Sequence, residues 1–293
     1  MRLVQWVDAG FLADLWRIVF KVDTTTSFAS LKRFGLWQSP TGLYFFDPPL
    51  AGDPEFYRQF YGTLIERKIW SRDSIRNEFE RAALRVRPGD RVLDVGCGDA
   101  AFRHLIPAAR YLGLEPTSTG AIEGVSAQPL AEHVVDHADR YDAVCAFQVL
   151  EHLAAPRQIF ADMVRAAKPG GLIIVGVPHV PSALTRIPNF LVNAPPHHLS
   201  WWTQDALAAL AKRSGAAVES IEHTSWNESD ALVYWMARCS PIRCDDIHYR
   251  DAWSWHAAAA IGFLLGRLMR AVRPRPATRD EGGGLLMVAR RIG

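Results

Sequence analysis

Short apolar runs that alternate with segments of helical periodicity constrain the fold of this chain more than any other feature. Four such runs, all almost continuously apolar, lie at residues 91–95, 111–114, 143–147 and 172–175. Continuous apolar runs are typical of strands buried on both faces of a parallel sheet. The segments between them, such as 159–167, repeat apolar residues at helical spacing. This alternation predicts an α/β domain with a mostly parallel sheet and helices on both faces.

Composition limits the classes of protein to which the chain can belong. Its 293 residues are 49% hydrophobic, which excludes wholesale disorder. The 33 Lys and Arg nearly balance the 31 Asp and Glu, so the protein has no strong positive electrostatic field that would attract nucleic acid. Four scattered cysteines exclude a disulfide-dense secreted scaffold. We therefore expect a cytoplasmic protein that binds no nucleic acid.

The same patterns divide the chain into four parts. Residues 86–225 form the α/β core, and a last strand within 285–293 returns to it. Residues 1–85, which include a proline-rich loop and helices from about Glu55 and up to Arg85, are an N-terminal cap or substrate segment. Residues 226–284 break the alternation and form a helical insertion.

Two apolar segments bear on location. The first 22 residues are interrupted by Asp8, Asp14 and Arg17, which argues against a signal peptide and favours an amphipathic helix. The segment 253–273 begins with tryptophans, ends with arginines and is short for a bilayer span of about 20 apolar residues. It suits a helix on the inner membrane surface; the alternatives are a cover for the core, a lid, or a homodimer contact.

A glycine-containing loop follows the first core strand. Asp94, Gly96 and Gly98 lie between that strand and the next helical segment, where glycines let the backbone turn sharply and approach a ligand. Glu115 ends the second strand 21 residues after Asp94 (115 − 94), the position at which an acid binds a ribose diol. Loop and acid together predict a nucleoside-containing ligand.

These motifs carry a family resemblance. The stretches 92–98 and 113–116 resemble the class I S-adenosylmethionine (SAM)-dependent methyltransferases, and so do 141–153, 168–171 and 195–203. The last of these is similar to a segment of the bacterial small-molecule branch. The resemblance implies a Rossmann-like sheet of seven strands whose last strand is antiparallel, with SAM as the cofactor.

The resemblance also assigns roles to residues. Asp94, Gly96 and Gly98 line the methionine part of SAM, Glu115 holds the ribose hydroxyls, and Cys97 and Pro116 complete these contacts. Ser126 and Ala127, after a third strand at 122–125, flank the adenine, and Phe147 and Gln148 close over the sulfonium. The chain departs from the family at Ala100, where a third glycine is common, and at Ser126, where an acid often binds the adenine amine.

Three histidines are candidates for a catalytic base. His197, His198 and His152 would lie over the carboxyl ends of the strands, and histidine exchanges protons near neutral pH. The alternative is that they pack under the neighbouring tryptophans. Ubiquinone-pathway O-methyltransferases resemble residues 148–152 and use E-x-x-E-H for a divalent ion, but here Gln148 replaces the first acid, and we assign no metal site.

The expected reaction is methyl transfer to an O or N atom of a small molecule or of a sugar or glycan. The sugar alternative comes from residues 43–57, which resemble a segment of bacterial methyltransferases thought to act on sugars. Two other functions stay open: a non-catalytic SAM-binding partner subunit, and another SAM-using enzyme of the same fold, such as a cyclase or a decarboxylating variant.

Overall fold

The structure, a computed structural model, describes residues 1–28, 31–67, 69, 76–117, 122–226, 230–273 and 281–293. The strands are β1 (Arg2–Asp8), β2 (Arg33–Gln38), β3 (Tyr44–Asp47), β4 (Arg91–Val95), β5 (Arg110–Leu114), β6 (Val125–Ser126), β7 (Tyr141–Phe147), β8 (Ala167–Pro178), β9 (Ser200–Trp201), β10 (Ala216–Ser225) and β11 (Glu281–Arg291). The α-helices are α1 (Ala9–Phe20), α2 (Thr25–Phe28), α3 (Pro54–Glu66), α4 (Asn77–Ala83), α5 (Leu130–His137), α6 (Pro156–Ala166), α7 (Gln204–Arg213), α8 (Ala231–Cys239) and α9 (Trp253–Val272).

Seven strands form the central sheet in the order β10-β11-β8-β7-β4-β5-β6. The five strands from β8 to β6 run parallel to one another, whereas β11 pairs antiparallel with both β8 and β10. The predicted α/β, Rossmann-like sheet with an antiparallel last strand is therefore confirmed. Strand β10 is the one of the seven expected strands that the sequence had not located.

The central strands are mostly apolar because both faces of the sheet are covered. On β4, Leu93 and Val95 pack in a cluster with α5, α6 and α7, while Val92 packs in a second cluster with α4. On β7, Val144 faces the first cluster and Cys145 the second. Successive side chains of a strand point to opposite faces, so each apolar run supplies both clusters.

The N-terminal residues form a second sheet, and here the prediction was wrong. An amphipathic helix was expected over the first 22 residues, but residues 2–8 are strand β1 and only 9–20 are helical. β1 pairs antiparallel with β2 in a four-stranded sheet of order β1-β2-β3-β9. The strand is stabilised by this pairing with residues about 30 positions away in sequence, which local periodicity does not register.

Three other local predictions need correction. The segment after the glycine loop is a short 3₁₀ turn, Ala101–Leu105, rather than an α-helix, because Pro107 cuts it off two residues later. The third core strand is Val125–Ser126 rather than 122–125. The stretch 168–171, which the family resemblance places in a turn before the fifth strand, lies inside β8, where Gly170 has a φ of 76° and the pairing with β7 shifts register.

The helical insertion forms a two-helix unit. α9 packs on α8 through Gly262 and Gly266, where an added Cβ on Gly266 would lie 3.0 Å from the Met236 backbone. The opposite face of α9 exposes Leu264, Leu268 and other large apolar side chains. Among the described residues, no helix is both long enough and apolar enough to cross a membrane.

Candidate cofactor and acceptor site

The candidate site lies at the edge of the central sheet where the parallel strands end. β4 and β7 are neighbours in the sheet, although β5 and β6 come between them in the sequence. β5 and β6 lie on the other side of β4. Ligands of open α/β sheets bind at such a reversal of strand order, outside the carboxyl ends of the strands. The loop 96–98, Glu115, Gln148 and His179 each follow one of these strand ends.

The loop after β4 turns on two glycines in the left-handed region, Gly96 at φ 68° and Gly98 at φ 55°. Gly96 lies against Val149, whose side chain would come within 2.6 Å of a Cβ at this position. A Cβ on Gly98 would meet no described atom within 4 Å. Since glycine adopts positive φ without steric cost, the loop combines a sharp turn with a backbone that a ligand can approach closely.

Ala100, where the family often has a third glycine, also adopts a left-handed φ of 60°. This conformation costs an L-residue roughly 1–2 kcal/mol. The alanine methyl is buried, and its N–H donates to the Cys97 carbonyl at 3.0 Å. The departure from the family pattern therefore leaves the backbone turn intact.

Glu115 is joined to the glycine loop by a hydrogen bond. Its Oε2 accepts from the Gly98 N–H at 3.1 Å, and its Oε1 accepts from the Thr117 hydroxyl at 2.6 Å and the Thr117 N–H at 3.2 Å. Each carboxylate oxygen has lone pairs beyond these bonds. The carboxylate is thus oriented by the protein while retaining capacity for a ligand diol.

Asp94 is buried under the loop. Its Oδ2 accepts a hydrogen bond from the Tyr111 hydroxyl at 2.8 Å. Burial raises the pKa of Asp94 to about 7, although the Tyr111 hydrogen bond and the Arg76 charge oppose the shift. Burial, together with the nearby Asp94 carboxyl, raises the pKa of the Cys97 thiol to about 12. Cys97 is therefore a neutral, unreactive thiol beside the loop.

The residues expected around the rest of the nucleoside lie along β6 and β5. The Ser126 carbonyl accepts the Glu115 N–H at 2.9 Å, and its Oγ accepts the Gln128 N–H at 3.2 Å. Ala127 and Pro116 are exposed. The sheet thus brings this group to the Glu115 side of the site.

Phe147 and Gln148 lie at the end of β7. The Phe147 ring packs between Phe79 and Phe102, with centroids 4.9 Å from each, so this residue offers only its backbone to the site. Gln148 has a φ of 56°, and its side-chain amide donates to Glu78 Oε1 at 3.1 Å. The side chain is therefore tied to α4.

Arg76, just before α4, is a site residue that the sequence did not indicate. Its guanidinium donates to the Phe147 carbonyl at 3.1 Å. Burial raises the pKa values of Asp94 and Glu151, and the charge of Arg76 opposes both shifts. Arg76 therefore links the loop after β4 with the turn after β7. In the sequence Arg76 is a single arginine outside any motif, so no pattern indicated that it belongs to the site.

The three predicted histidines come together next to this turn. The candidate ligand atoms of His152, His197 and His198 all lie within 4.8 Å of one another, and the rings of His197 and His198 stack with centroids 4.3 Å apart. His152 Nδ1 faces the His197 carbonyl at 2.6 Å, and His197 Nδ1 faces the Val192 carbonyl at 2.8 Å. His197 Nε2 lies 3.3 Å from the Tyr61 hydroxyl.

Burial sets the charge state of this cluster. It lowers the pKa of His152 to about 4 and the pKa values of His197 and His198 well below the ordinary value. It also raises the pKa of Glu151 to about 8 and that of Tyr61 to about 12. At neutral pH these five groups are therefore uncharged.

Glu151 stands out within the cluster. Its side chain is fully buried, and neither carboxyl oxygen has a hydrogen-bond partner in the described part of the chain. Oε1 lies 3.8 Å from His152 Nε2, too far for a hydrogen bond. His179, at the end of β8, lies against His223, with ring centroids 4.5 Å apart.

A family of methyltransferase domains matches residues 60–221, more than half of the 293-residue chain. The chain belongs to this family. The identification made from the sequence is thereby confirmed: it is a class I methyltransferase whose cofactor is S-adenosyl-L-methionine. Open backbone at Gly98, the oriented carboxylate of Glu115 and the buried carboxyl of Asp94 suit the nucleoside and the cationic amino acid of that cofactor.

Several curated relatives share part of the methyltransferase sequence. Ubiquinone biosynthesis O-methyltransferase from Hahella chejuensis is 32% identical over 105 residues, which are 31% of this chain and 43% of that protein. The protein of the same description from Rhizobium leguminosarum is 28% identical over 155 residues, 47% of this chain and 56% of its own length. The chain thus spans about half the length of these relatives.

Solved structures also resemble this methyltransferase. A SAM-dependent methyltransferase from Archaeoglobus fulgidus covers 79% of this chain and all of its own length, with a TM-score of 0.48 and 19% identity. The [4+2]-cyclase SpnF covers 84% of this chain and 98% of its own length, with a TM-score of 0.49 and 16% identity.

Proposed function

We propose that this protein transfers a methyl group from SAM to an oxygen atom of a small hydroxyl-bearing molecule. The observation that carries the proposal is the buried cluster of three histidines, a glutamic acid and a tyrosine beside the end of β7. Oxygen acceptors need a proton removed as they react, and uncharged imidazoles can receive it. Nitrogen acceptors with a free lone pair have less need of such groups.

The cofactor would lie across the strand ends. When bound, SAM supplies an electrophilic methyl group, which passes to the acceptor as its carbon–sulfur bond breaks. Glu115 would accept the ribose hydroxyls, the carboxyl of Asp94 would pair with the amino group, and the 96–98 loop would follow the methionine part. Ser126 and Ala127 would flank the adenine.

The protein residues would position the acceptor and receive its proton. His152 has its Nδ1 directed at a backbone carbonyl, which leaves Nε2 as the acceptor atom. Its side chain is the most exposed of the three rings, at 18%. We therefore assign the proton to His152, with His197 and His198 holding its ring in place. Their burial also keeps water from the reacting atoms.

The acceptor is proposed to be a planar ring or a sugar. Tyr57 and Tyr61 stack with centroids 6.3 Å apart and stand over the histidine cluster, and such aromatic walls pack against ring faces. The relatives described as ubiquinone biosynthesis O-methyltransferases favour an oxygen acceptor. The sugar alternative depends on the sequence resemblance at 43–57.

Turnover with methyl-labelled SAM against a pool of phenolic and sugar acceptors tests the proposal. We expect label in an O-methyl product, and we expect His152→Gln to lower kcat while SAM affinity stays unchanged. His256→Gln, an exposed histidine on α9, is the matched control. Labelled N-methyl products only, or SAM binding without any turnover, would favour the alternatives of an N-methyltransferase or a non-catalytic subunit.

We further propose that the acceptor reaches the enzyme at the inner membrane face. α9 contains no acidic residue, exposes Trp253, Leu264, Leu268 and Val272 at 59–83%, and carries arginines near its C-terminal end. Its glycine face is occupied by α8, so the apolar stripe is left for another surface. Apolar side chains beside arginines suit the headgroup region of an anionic bilayer.

Flotation with vesicles that contain one-third anionic lipid tests this location. We expect wild-type protein to bind at low salt and to be released by high salt, and Leu264→Glu/Leu268→Glu to stay in solution. Val135→Glu, exposed by 72% on α5, is the control that should bind like wild type. Vesicle binding by the double variant would contradict the proposal, as would a salt-stable homodimer formed through α9.

A further inference from the structure

A cleft lined by arginines lies at the edge of the central sheet opposite the cofactor site, where the parallel strands begin. Arg91 and Arg110 are the first residues of β4 and β5, and Arg140 directly precedes β7. These three residues line a cavity of about 280 Å³, which we call the arginine cleft. Its other lining residues are Tyr111, Leu112, His137 and Tyr141. The five residues of β4, at about 3.3 Å each, separate the arginine cleft from the glycine loop by roughly 16 Å.

The fold places the charges of these arginines close together. Arg91 and Arg110 are partners in the register of the parallel strands β4 and β5, so both side chains leave the same face of the sheet, on strands about 4.8 Å apart. Burial raises the pKa of the Tyr141 hydroxyl, and the charges of Arg91 and Arg140 both oppose this shift, so both guanidiniums lie near the same tyrosine. Because arginine is always protonated in proteins, three positive charges meet at the cleft.

The acids near the arginine cleft are engaged by other cations. Within the described ranges, none of the three guanidiniums has a hydrogen-bond or ion-pair partner. Asp142 accepts the Arg91 backbone N–H at 2.9 Å, but its other oxygen lies 2.6 Å from Lys168 Nζ, which supplies a positive charge of its own. Asp139 is bonded to Arg291. The cleft therefore keeps an excess of positive charge, which favours an anionic ligand.

A network of buried polar side chains fixes one side of the cleft. Tyr141 and His133 are both buried, and the Tyr141 hydroxyl lies 2.6 Å from His133 Nε2, while His133 Nδ1 lies 3.1 Å from Gln128 Oε1. His137 stacks on His133 with ring centroids 4.1 Å apart, and its Nδ1 faces the His133 carbonyl at 3.0 Å. This contact leaves His137 Nε2 for a ligand. Because bonded, buried groups hold their positions, this side of the cleft is formed before any ligand binds.

We propose that the arginine cleft binds the phosphate groups of a small, soluble phosphorylated molecule. Arginine presents its N–H groups in a planar fork that matches two phosphate oxygens at once, and an anion between Arg91 and Arg110 would remove the repulsion between them. The cavity is close to the lower end of the range of about 300–1,000 Å³ that is usual for small-molecule sites, which favours a compact ligand such as a sugar phosphate or a nucleotide. The cleft is separate from the cofactor site, so the inference does not depend on the proposed function.

Calorimetric titration of the full chain with inorganic pyrophosphate at low ionic strength tests the site. We expect one pyrophosphate per chain, and we expect it to bind also when the protein is saturated with SAM. Arg91→Gln/Arg110→Gln should weaken binding at least about 10-fold, because charge-assisted hydrogen bonds to the phosphates are lost. Arg17→Gln/Arg58→Gln removes the same charge from exposed positions of α1 and α3 and should bind like wild type.

Absence of pyrophosphate binding by wild type, or an equal loss in both double variants, would overturn the inference. Displacement of pyrophosphate by SAM would also overturn it, because the anion would then lie in the cofactor site. Flotation with anionic vesicles distinguishes a soluble ligand from a lipid headgroup that offers the same phosphate. Arg91→Gln/Arg110→Gln should float to the same extent as wild type, whereas a loss of flotation in this variant would contradict a soluble ligand.

Discussion

Replacing Asp94 by asparagine should stabilise the ligand-free protein at alkaline pH. Burial raises the pKa of this carboxyl from 3.8 to about 7, so the folded protein holds a proton that the unfolded chain releases. The stability that Asp94 contributes through this raised pKa is fully present below about pH 4, and it is lost as pH rises towards 7. The difference of about 3 pH units corresponds to about 4 kcal/mol at 25 °C. Asparagine has nearly the same shape as the protonated acid, can still accept from Tyr111, and does not titrate.

Urea unfolding of both proteins from pH 5.5 to 8.5 in EDTA measures this effect. At pH 5.5 the wild-type protein has already lost part of the stability that the protonated Asp94 carboxyl contributes. The stability advantage of Asp94→Asn should therefore grow by only about 2 kcal/mol between pH 5.5 and 8.5, and it should stop growing above pH 7. Taking the difference between the two proteins at each pH cancels the titration of every other group. The asparagine should also weaken SAM binding, because the paired carboxylate is lost.

Asp142→Asn is the matched control for this experiment. Burial alone would raise the pKa of Asp142, but hydrogen bonds from Lys168 and the Arg91 N–H outweigh burial and leave it below its ordinary value. Its contribution is therefore complete over the whole pH range, and the control should show a constant loss of stability. A pH-independent difference for Asp94→Asn as well would refute the claim that Asp94 is protonated in the folded protein.

Two further predictions concern stability. His198→Gln should become more stable relative to wild type in urea unfolding as pH falls from 6.5 to 5, because burial lowers the pKa of His198 and the unfolded wild-type chain takes up a proton that the folded chain does not; a difference that does not change with pH would contradict the burial of a neutral ring. Leu93→Ala, in the central strand with no exposed surface, should cost about 2–5 kcal/mol, whereas Val135→Ala on the exposed face of α5 should cost less than about 0.5 kcal/mol; a loss of under about 1 kcal/mol at Leu93 would place it outside the core.

The central sheet could be predicted from the sequence because most of its strands can be recognised from their own short stretch of residues. Continuous apolar runs such as 91–95 reflect burial on both faces, and the loop at 96–98 with Glu115 fixed the binding edge. The N-terminal sheet could not be predicted in the same way. Residues 2–8 pair with 33–38, and β9 joins β3 from more than 150 residues away, so their strand conformation depends on partners that no local window contains.

The histidine cluster was predicted only as separate candidates. His152 and His197 are 45 residues apart, and their meeting depends on the backbone bond between Leu199 and Glu151. The unpartnered state of Glu151 is a property of the folded interior, since the sequence shows only an acid before a histidine. Arg76 was missed because its contact with the Phe147 carbonyl likewise forms only in the folded protein.

Calorimetric titration of SAM into wild type and Glu115→Ala tests the central claim most directly. The wild-type protein should bind one SAM per chain, and the variant should lose about 1.5–3 kcal/mol of binding free energy, because a charged acceptor of hydrogen bonds from the ribose is removed. Glu123→Ala, an exposed acid paired with Arg103, should bind like wild type. Equal affinity of wild type and Glu115→Ala would show that the nucleoside does not lie at the ends of β4 and β5.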